Sequence, residues 1–259
     1  AALILDLEDS VALDRKPIAR ELAAAWLRSR TAPPQAWVRI NALDSGLAMA
    51  DLAAIVAARP DGIVLPKCAS AADLARLDAA LSALEAREGL PDRSIPVMPL
   101  VTETPAAMFA LGGYAGAPRL AALTWGGEDL AAALGARANR LPDGTWDDPY
   151  RLARALTLIA AGAAGVPAID TVYADVRDLE GLRAECEAGR RMGFAGRMAI
   201  HPAQVAVIEQ AYAPTEAERA WAERVIAAFD AAPGAGVVSL DGRMLDRPHL
   251  VQARRLLGK

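Results

Sequence analysis

The residues able to do chemistry in this chain stand where apolar runs end. Asp6, Glu8 and Asp9 close the first run, Arg39 and Asn41 the second, and Lys67 the third. Glu103 closes the fourth, Glu128 and Asp129 follow the fifth, and His201 follows the last. A charge at the end of a buried segment is costly unless it is paired or liganded. Glu103 and Asp129 follow consecutive runs. If those runs are neighbouring strands, about 4.8 Å apart, two carboxylates there can grip one cation. Oxygen ligands without a cysteine pair or a histidine cluster suit Mg²⁺, or Mn²⁺, rather than Zn²⁺. The same residues also fit a plainer role, in which each carboxylate caps the helix behind it. Spacing alone leaves both open.

Gly126-Gly127, just ahead of Glu128-Asp129, allows backbone to approach a ligand closely. The N–H groups opening the next helix can then hold a substrate carboxylate. Arg39 ends VRIN, and a guanidinium can grip a carboxylate through two parallel hydrogen bonds. Its alternative is a structural ion pair with Glu8, Asp9 or Glu103. Lys67 ends IVLPK and reads either as a Schiff-base amine, if desolvated, or as a solvated or ion-paired cation. His201, ahead of Pro202, reads as a packed, hydrogen-bonded residue. Cys68 and Cys186 match no metal or redox spacing and read as core filling.

The elements that must position these residues alternate along the chain. Strands are expected at 3–8, 37–41, 62–67, 96–103, 121–126, 168–174 and 196–200. Helices are expected near 14–28, 46–57, 70–86, 105–111, 150–163, 179–192 and 202–211. Strands alternating with helices imply parallel pairing and right-handed crossovers. The strands are apolar almost throughout, as burial on both faces requires. The expected fold is α/β, a TIM (β/α)₈ barrel over residues 1–213. Seven strands are visible where a closed barrel needs eight, so the first βα unit is expected to be missing from the front of this sequence. An open doubly wound sheet is the alternative. Polar residues at nearly every strand end favour the barrel, which alone brings them to one face. Residues 137–150, with LPDGTWDDPY, interrupt the rhythm and read as a lid or rim loop. Residues 214–259 read as a C-terminal helical extension, packing on the barrel or on a neighbouring subunit. In it a helix over 215–231 leads through Pro233-Gly234-Ala235-Gly236, read as a hinge, to a last helix from His249.

The 259 residues suit one barrel, and 54% apolar composition supplies a large core. A net charge of −4, from 32 acidic and 28 basic side chains, argues against nucleic acid as the main partner. No apolar run of membrane-spanning length and no secretion signal is seen, so a cytoplasmic protein without a membrane partner is expected.

The motifs DLEDSV, VRIN, IVLPK, TETP, GGEDL and AIHPAQV occur in this order at βα spacing. In this the chain resembles the citrate lyase β-subunit-like branch of the HpcH/HpaI aldolase superfamily, over nearly its whole length. The resemblance implies a metal-dependent barrel that cleaves or forms a carbon–carbon bond in hydroxy-acyl-CoA thioesters such as citryl-CoA, malyl-CoA or citramalyl-CoA. The products are a 2-oxo acid and an acyl-CoA. It further implies Glu103 and Asp129 as Mg²⁺ ligands and Arg39 as the grip on the keto-acid carboxylate, aided by Gly126, Gly127 and Glu128. Glu8, Asp9 and Lys67 are implied as supporting residues. Gly242-Arg243-Met244-Leu245-Asp246 matches the family's C-terminal motif, whose aspartate is the acid or base near the thioester. Asp246 is therefore expected to be catalytic, reaching a neighbouring subunit of a homo-oligomer, a trimer or hexamer. Its alternative is a cap on the final helix. A CoA-independent aldolase of 2-keto-3-deoxy acids and a non-catalytic binding homologue are the competing functions.

Overall fold

The structure, a computed structural model, describes residues 2–31 and 33–258. Seven parallel strands follow one another: β1 Ala2–Asp6, β2 Gln35–Arg39, β3 Gly62–Leu65, β4 Val97–Pro99, β5 Leu123–Thr124, β6 Ala168–Asp170 and β7 Gly196–Arg197. They pair in the order β1-β2-β3-β4 and β5-β6-β7, and parallel bridges from Val97 to Leu120 and from Leu100 to Thr124 join the two runs. A doubly wound sheet reverses its strand order at a switch point. This sheet winds in one direction, as a barrel does. Among the described residues β1 and β7 do not pair, so the fold is a partial (β/α)₈ barrel.

The curvature is visible in the core. Val64, Met98, Leu100 and Ala122 form a buried cluster against which Ile4, Trp37, Ile169 and Met198 pack. Side chains from β1, β2, β3, β4 and β6, and from the residue after β7, thus meet at one centre, which a flat sheet could not arrange. Gly62 makes room for this: a Cβ there would lie 2.3 Å from the Trp37 ring.

Helices α1 Lys16–Ser29, α2 Ala48–Ile55, α3 Ala71–Arg87, α4 Pro105–Met108, α5 Glu128–Leu134, α6 Asp148–Ala164, α7 Leu179–Met192 and α8 Pro202–Tyr212 follow the successive strands. Seven of these match expected helices. The short α5 begins where a helix start after Gly126-Gly127 is expected, though with no expected range: it spans seven residues and stops at Gly135, left-handed at φ 69°. The strands end earlier than expected, at the points where the chain turns out of the sheet. Glu8, Asp9, Lys67, Glu103 and Asp129 therefore all lie just beyond strand ends, on the rim. No helix among the described residues is long and apolar enough to cross a membrane.

The chain divides into two compact units, residues 1–211 and 212–259. The second holds α9 Glu216–Asp230, the strands β8 Val237–Leu240 and β9 Arg243–Asp246, and α10 Arg247–Leu256. Its core is Ala222, Val225, Phe229, Leu245, Leu250 and Ala253. The extension has its two expected helices, and between them β8 and β9 add an antiparallel hairpin. Asp241 and Gly242, at φ 52° and 75°, make the left-handed turn that an Asp-Gly pair favours. Pro233–Gly236 is not a hinge to a free tail, since it joins α9 to β8 within one packed unit.

Candidate active site at the strand ends

The β1–β2 register places Asp6 directly beside Arg39. The guanidinium uses one edge fully on that carboxylate, Nε to Oδ1 at 2.7 Å and Nη2 to Oδ2 at 2.6 Å. Its Nη1 lies 3.2 Å from Glu8 Oε2. Arg39 is thus ion-paired, and its first partner is Asp6, which was not among the partners expected. The pairing holds the Asp6 carboxyl down at about 2, against the cost of burial. A substrate carboxylate can meet only the edge of Arg39 that Asp6 leaves.

Asp6 also accepts from the Glu8 and Ser10 amides, which curls Leu7–Asp9 into a turn. Lys16, the first residue of α1, holds that turn from within. Its buried ammonium donates to Leu7 O at 2.7 Å, Glu8 O at 2.7 Å and Asn41 Oδ1 at 2.8 Å. Asn41 is tied in turn to Asp51, and Asp51 to Arg20. Lys16 and Asp51 were not foreseen, because charges in the first turn of a helix usually face water. Lys16→Met keeps the stem but removes the donor to Asn41 Oδ1, while Leu7 O keeps Asn41 Nδ2 and Glu8 O keeps Val11 N. One unmet buried group costs about 1–3 kcal/mol, so a loss of about 2 kcal/mol in denaturant stability is expected. Wild-type stability would show that water replaces the ammonium.

Lys67 adopts a left-handed backbone, φ 51°. This points its N–H at Glu103 Oε2, 2.5 Å away, and its side chain at Glu8 Oε1, also 2.5 Å away. Its ammonium lies 3.5 Å from Asp9 and 3.7 Å from Asp129. Although burial alone would lower the lysine pKa, the hydrogen bond to Glu8 and the surrounding carboxylates raise it above its ordinary value. These ion pairs favour the charged form of Lys67 over the neutral amine that a Schiff base needs.

Glu103 does not cap α4. Thr104 does, its Oγ1 accepting from Ala107 N. Glu103 instead reaches across to β3's end and is buried. Its carboxyl is pushed up to about 8, first by burial and then by the negative charges of Asp129 and Glu8. Glu8 is raised as well, by burial. Asp129 sits in the first turn of α5, where an acid also suits the helix dipole. Gly126 is required for this packing: a Cβ there would lie 3.0 Å from Glu103 Cγ. Its N–H is already given to Thr102 Oγ1, so it cannot serve a substrate carboxylate as expected. Gly127 and the first N–H groups of α5 keep that capacity, since a helix's first turn has no internal acceptors. Glu128 turns away, accepting from Asn139 at 2.8 Å.

Three carboxylates, Glu8, Asp9 and Asp129, thus lie around the Lys67 ammonium and a fourth, Glu103, accepts from the Lys67 N–H, while Asp6 takes much of Arg39's charge. Glu8 Oε2 is buried without a hydrogen bond. This excess of negative charge fits a divalent cation. Among the described residues no three acidic, histidine or cysteine side chains could enclose a metal by themselves. That suits Mg²⁺, which is usually held by one or two carboxylates and completes its shell with water and substrate oxygens.

Residues 2–202 match the model of the HpcH/HpaI aldolase/citrate lyase family. The chain belongs to this family. It is 40% identical to a (3S)-malyl-CoA thioesterase of Cereibacter sphaeroides, over 100% of this chain and 86% of that protein. It is 35% identical to citrate lyase subunit beta of Escherichia coli, over 100% and 85%. The solved structure of protein CitE from Mycobacterium tuberculosis with magnesium, acetoacetate and coenzyme A superposes with a TM-score of 0.79 at 35% identity, covering 99% of this chain and 88% of that one. Another, of the citrate lyase β subunit from the same organism with oxaloacetate and magnesium, gives 0.70 at 35% identity, covering 82% and 87%.

The remaining marked residues of this aldolase/citrate lyase chain lie away from the carboxylate cluster or make local contacts of their own. His201 is exposed and accepts from Ala203 N at the start of α8. Cys68 and Cys186 are buried, with their thiols pushed up to about 11 by burial, and remain inert fillers. The 137–150 excursion is pinned to the barrel rather than loose. Leu141 and Thr145 are bonded across it, and Trp146 is 5% exposed. Asp246 is the N-cap residue of α10, with its Oδ1 2.5 Å from His249 Nδ1.

Proposed function

We propose that this chain is a Mg²⁺-dependent carbon–carbon lyase acting on a malyl-CoA-type thioester, with Glu103 and Asp129 as the protein's metal ligands. The observation that carries this is the buried Glu103 carboxyl set beside Asp129 and Glu8 at adjacent strand ends, a gathering of acids that a divalent cation would stabilise. The relatives solved with magnesium and with acetoacetate or oxaloacetate support the same reading.

Retro-aldol cleavage takes the proton from the substrate hydroxyl and breaks the adjacent carbon–carbon bond. It leaves a 2-oxo acid and an acyl-CoA enolate that must be protonated. Glu103 and Asp129 would hold Mg²⁺, which when bound would supply Lewis-acid polarisation of the oxygen that becomes the keto carbonyl. Arg39 directs its open edge to the acid's carboxylate, and Gly127 with the first turn of α5 offers N–H groups to the same group. Lys67, fixed by Glu8, adds a permanent positive charge beside the carboxylates. Asp246 is the proton-transferring carboxylate, serving a neighbouring subunit of a homo-oligomer, a trimer or hexamer. The site of action is the cytoplasm.

Thioester hydrolysis is the second reading, favoured by the 40% identity to a (3S)-malyl-CoA thioesterase. The two part at the products. Incubation with (3S)-malyl-CoA and Mg²⁺ is expected to release glyoxylate and acetyl-CoA in equal amounts, with no free thiol. Malate and free coenzyme A thiol would establish hydrolysis instead. No turnover of malyl-, citramalyl- or citryl-CoA would remove both readings.

A further inference from the structure

A second polar network lies beyond the proposed metal ligands, and nothing in the reaction requires it. Asp170, at the end of β6, is completely buried. Its carboxylate accepts from Arg154 Nη2 at 2.6 Å, Arg197 Nη2 at 2.8 Å, Thr171 N at 3.0 Å and the Trp125 indole N–H at 2.8 Å. Trp125 packs edge-on against Trp146, with ring centres 5.0 Å apart. The Arg140 guanidinium covers the Trp146 ring at 3.7 Å. Arg140 is ion-paired with Glu185, and Glu185 with Arg197, which returns to Asp170. The contacts close a ring of six side chains.

Against that ring lies the start of the turn Trp125-Gly126-Gly127-Glu128-Asp129. A Cβ at Gly127 would lie 3.0 Å from the Trp146 ring and 3.4 Å from the Trp125 ring, so the backbone is pressed between both indoles. From outside, Asn139 holds Glu128. Buried ion pairs stabilise little compared with apolar packing, but the Asp170 carboxylate is satisfied by donors from four residues, and that arrangement fixes the Trp125 indole that it holds. A carboxylate two residues from the pressed glycine inherits that geometry.

We infer that Trp125 and Asp170, closed over by Trp146 and Arg140, are positioning residues that hold Asp129 in place for the metal. The inference rests on the reading of Asp129 as a metal ligand. Trp125→Phe keeps an aromatic ring at this buried position and removes the N–H given to Asp170, along with part of the indole's volume. Binding of Mn²⁺ alone, followed by the loss of the free-ion resonance signal well below the melting temperature, should weaken about tenfold, as outer partners of metal ligands do. A purely structural role would lower the melting temperature and leave Mn²⁺ affinity unchanged, and that result overturns the inference. Asp129→Asn is measured beside it. Wild-type Mn²⁺ affinity in Asp129→Asn overturns the ligand reading and the inference together. Weakened binding there with unchanged binding in Trp125→Phe overturns the inference alone. If Trp125→Phe does not fold, Asn139→Ala decides: at that exposed position Mn²⁺ affinity should fall by at least about twofold, and no change counts against positioning.

Discussion

Glu103→Gln should bind Mg²⁺ more than about tenfold more weakly than the wild type, and its kcat/KM on the thioester should fall by about 10³. The two side chains have nearly the same shape, so the change isolates charge. Glu103 Oε2 accepts from Lys67 N, and a glutamine oxygen can still accept there, which keeps the β3–β4 rim together. The neutral amide also relieves the repulsion from Asp129 and Glu8 that raises this carboxyl. The variant should therefore be as stable as the metal-free wild type or more so, while losing function. Excess chelator should likewise abolish wild-type activity, and added Mg²⁺ should restore it. Full activity in chelator, or a borohydride-trapped adduct on Lys67, would show that the chemistry does not depend on a metal. The charged state of Lys67 opposes that second outcome.

Asp246→Asn is expected to leave Mg²⁺ and 2-oxo acid binding intact and to lower kcat by about 10²–10⁴, the usual contribution of a positioned acid or base. Its present partner is His249, one turn into α10. Asparagine is a good N-cap residue, so the cap should survive the change, and the melting temperature should barely move. This separates the two roles: a residue that only caps would leave kcat at the wild-type value. Mixed oligomers of Asp246→Asn with Glu103→Gln test sharing between subunits. Each protein alone is inactive, and a mixture regains activity only if one subunit's aspartate serves another's metal site. No recovery in verified mixed oligomers would confine the reaction to a single chain.

Much of this protein was legible from residue order. The seven barrel strands were readable because parallel strands buried on both faces must be continuous apolar runs, as in Gly62–Leu65. Their polar termini marked the rim, and consecutive strands made Glu103 and Asp129 neighbours. The hairpin of the second unit was also encoded, in the Asp241-Gly242 pair between two short runs, but it went unread beside stronger helical periodicity.

Only the tertiary structure decided which charge meets which. Asp6 faces Arg39 because of the register of β1 on β2, which no spacing along the chain specifies. Lys16 lies within a helix yet buries its ammonium under the Leu7–Asp9 turn, because α1 packs there. Lys67 joins Glu8 to Glu103 only through a left-handed backbone that a lysine seldom adopts. Asp170 and Trp125 are 45 positions apart and meet because β5 and β6 are paired. The physical reason is common to all four. Hydrophobic periodicity is a local property that a sequence displays openly. Ion pairing inside a fold depends on distances of a few ångströms between remote segments, and these exist only once the sheet has wound.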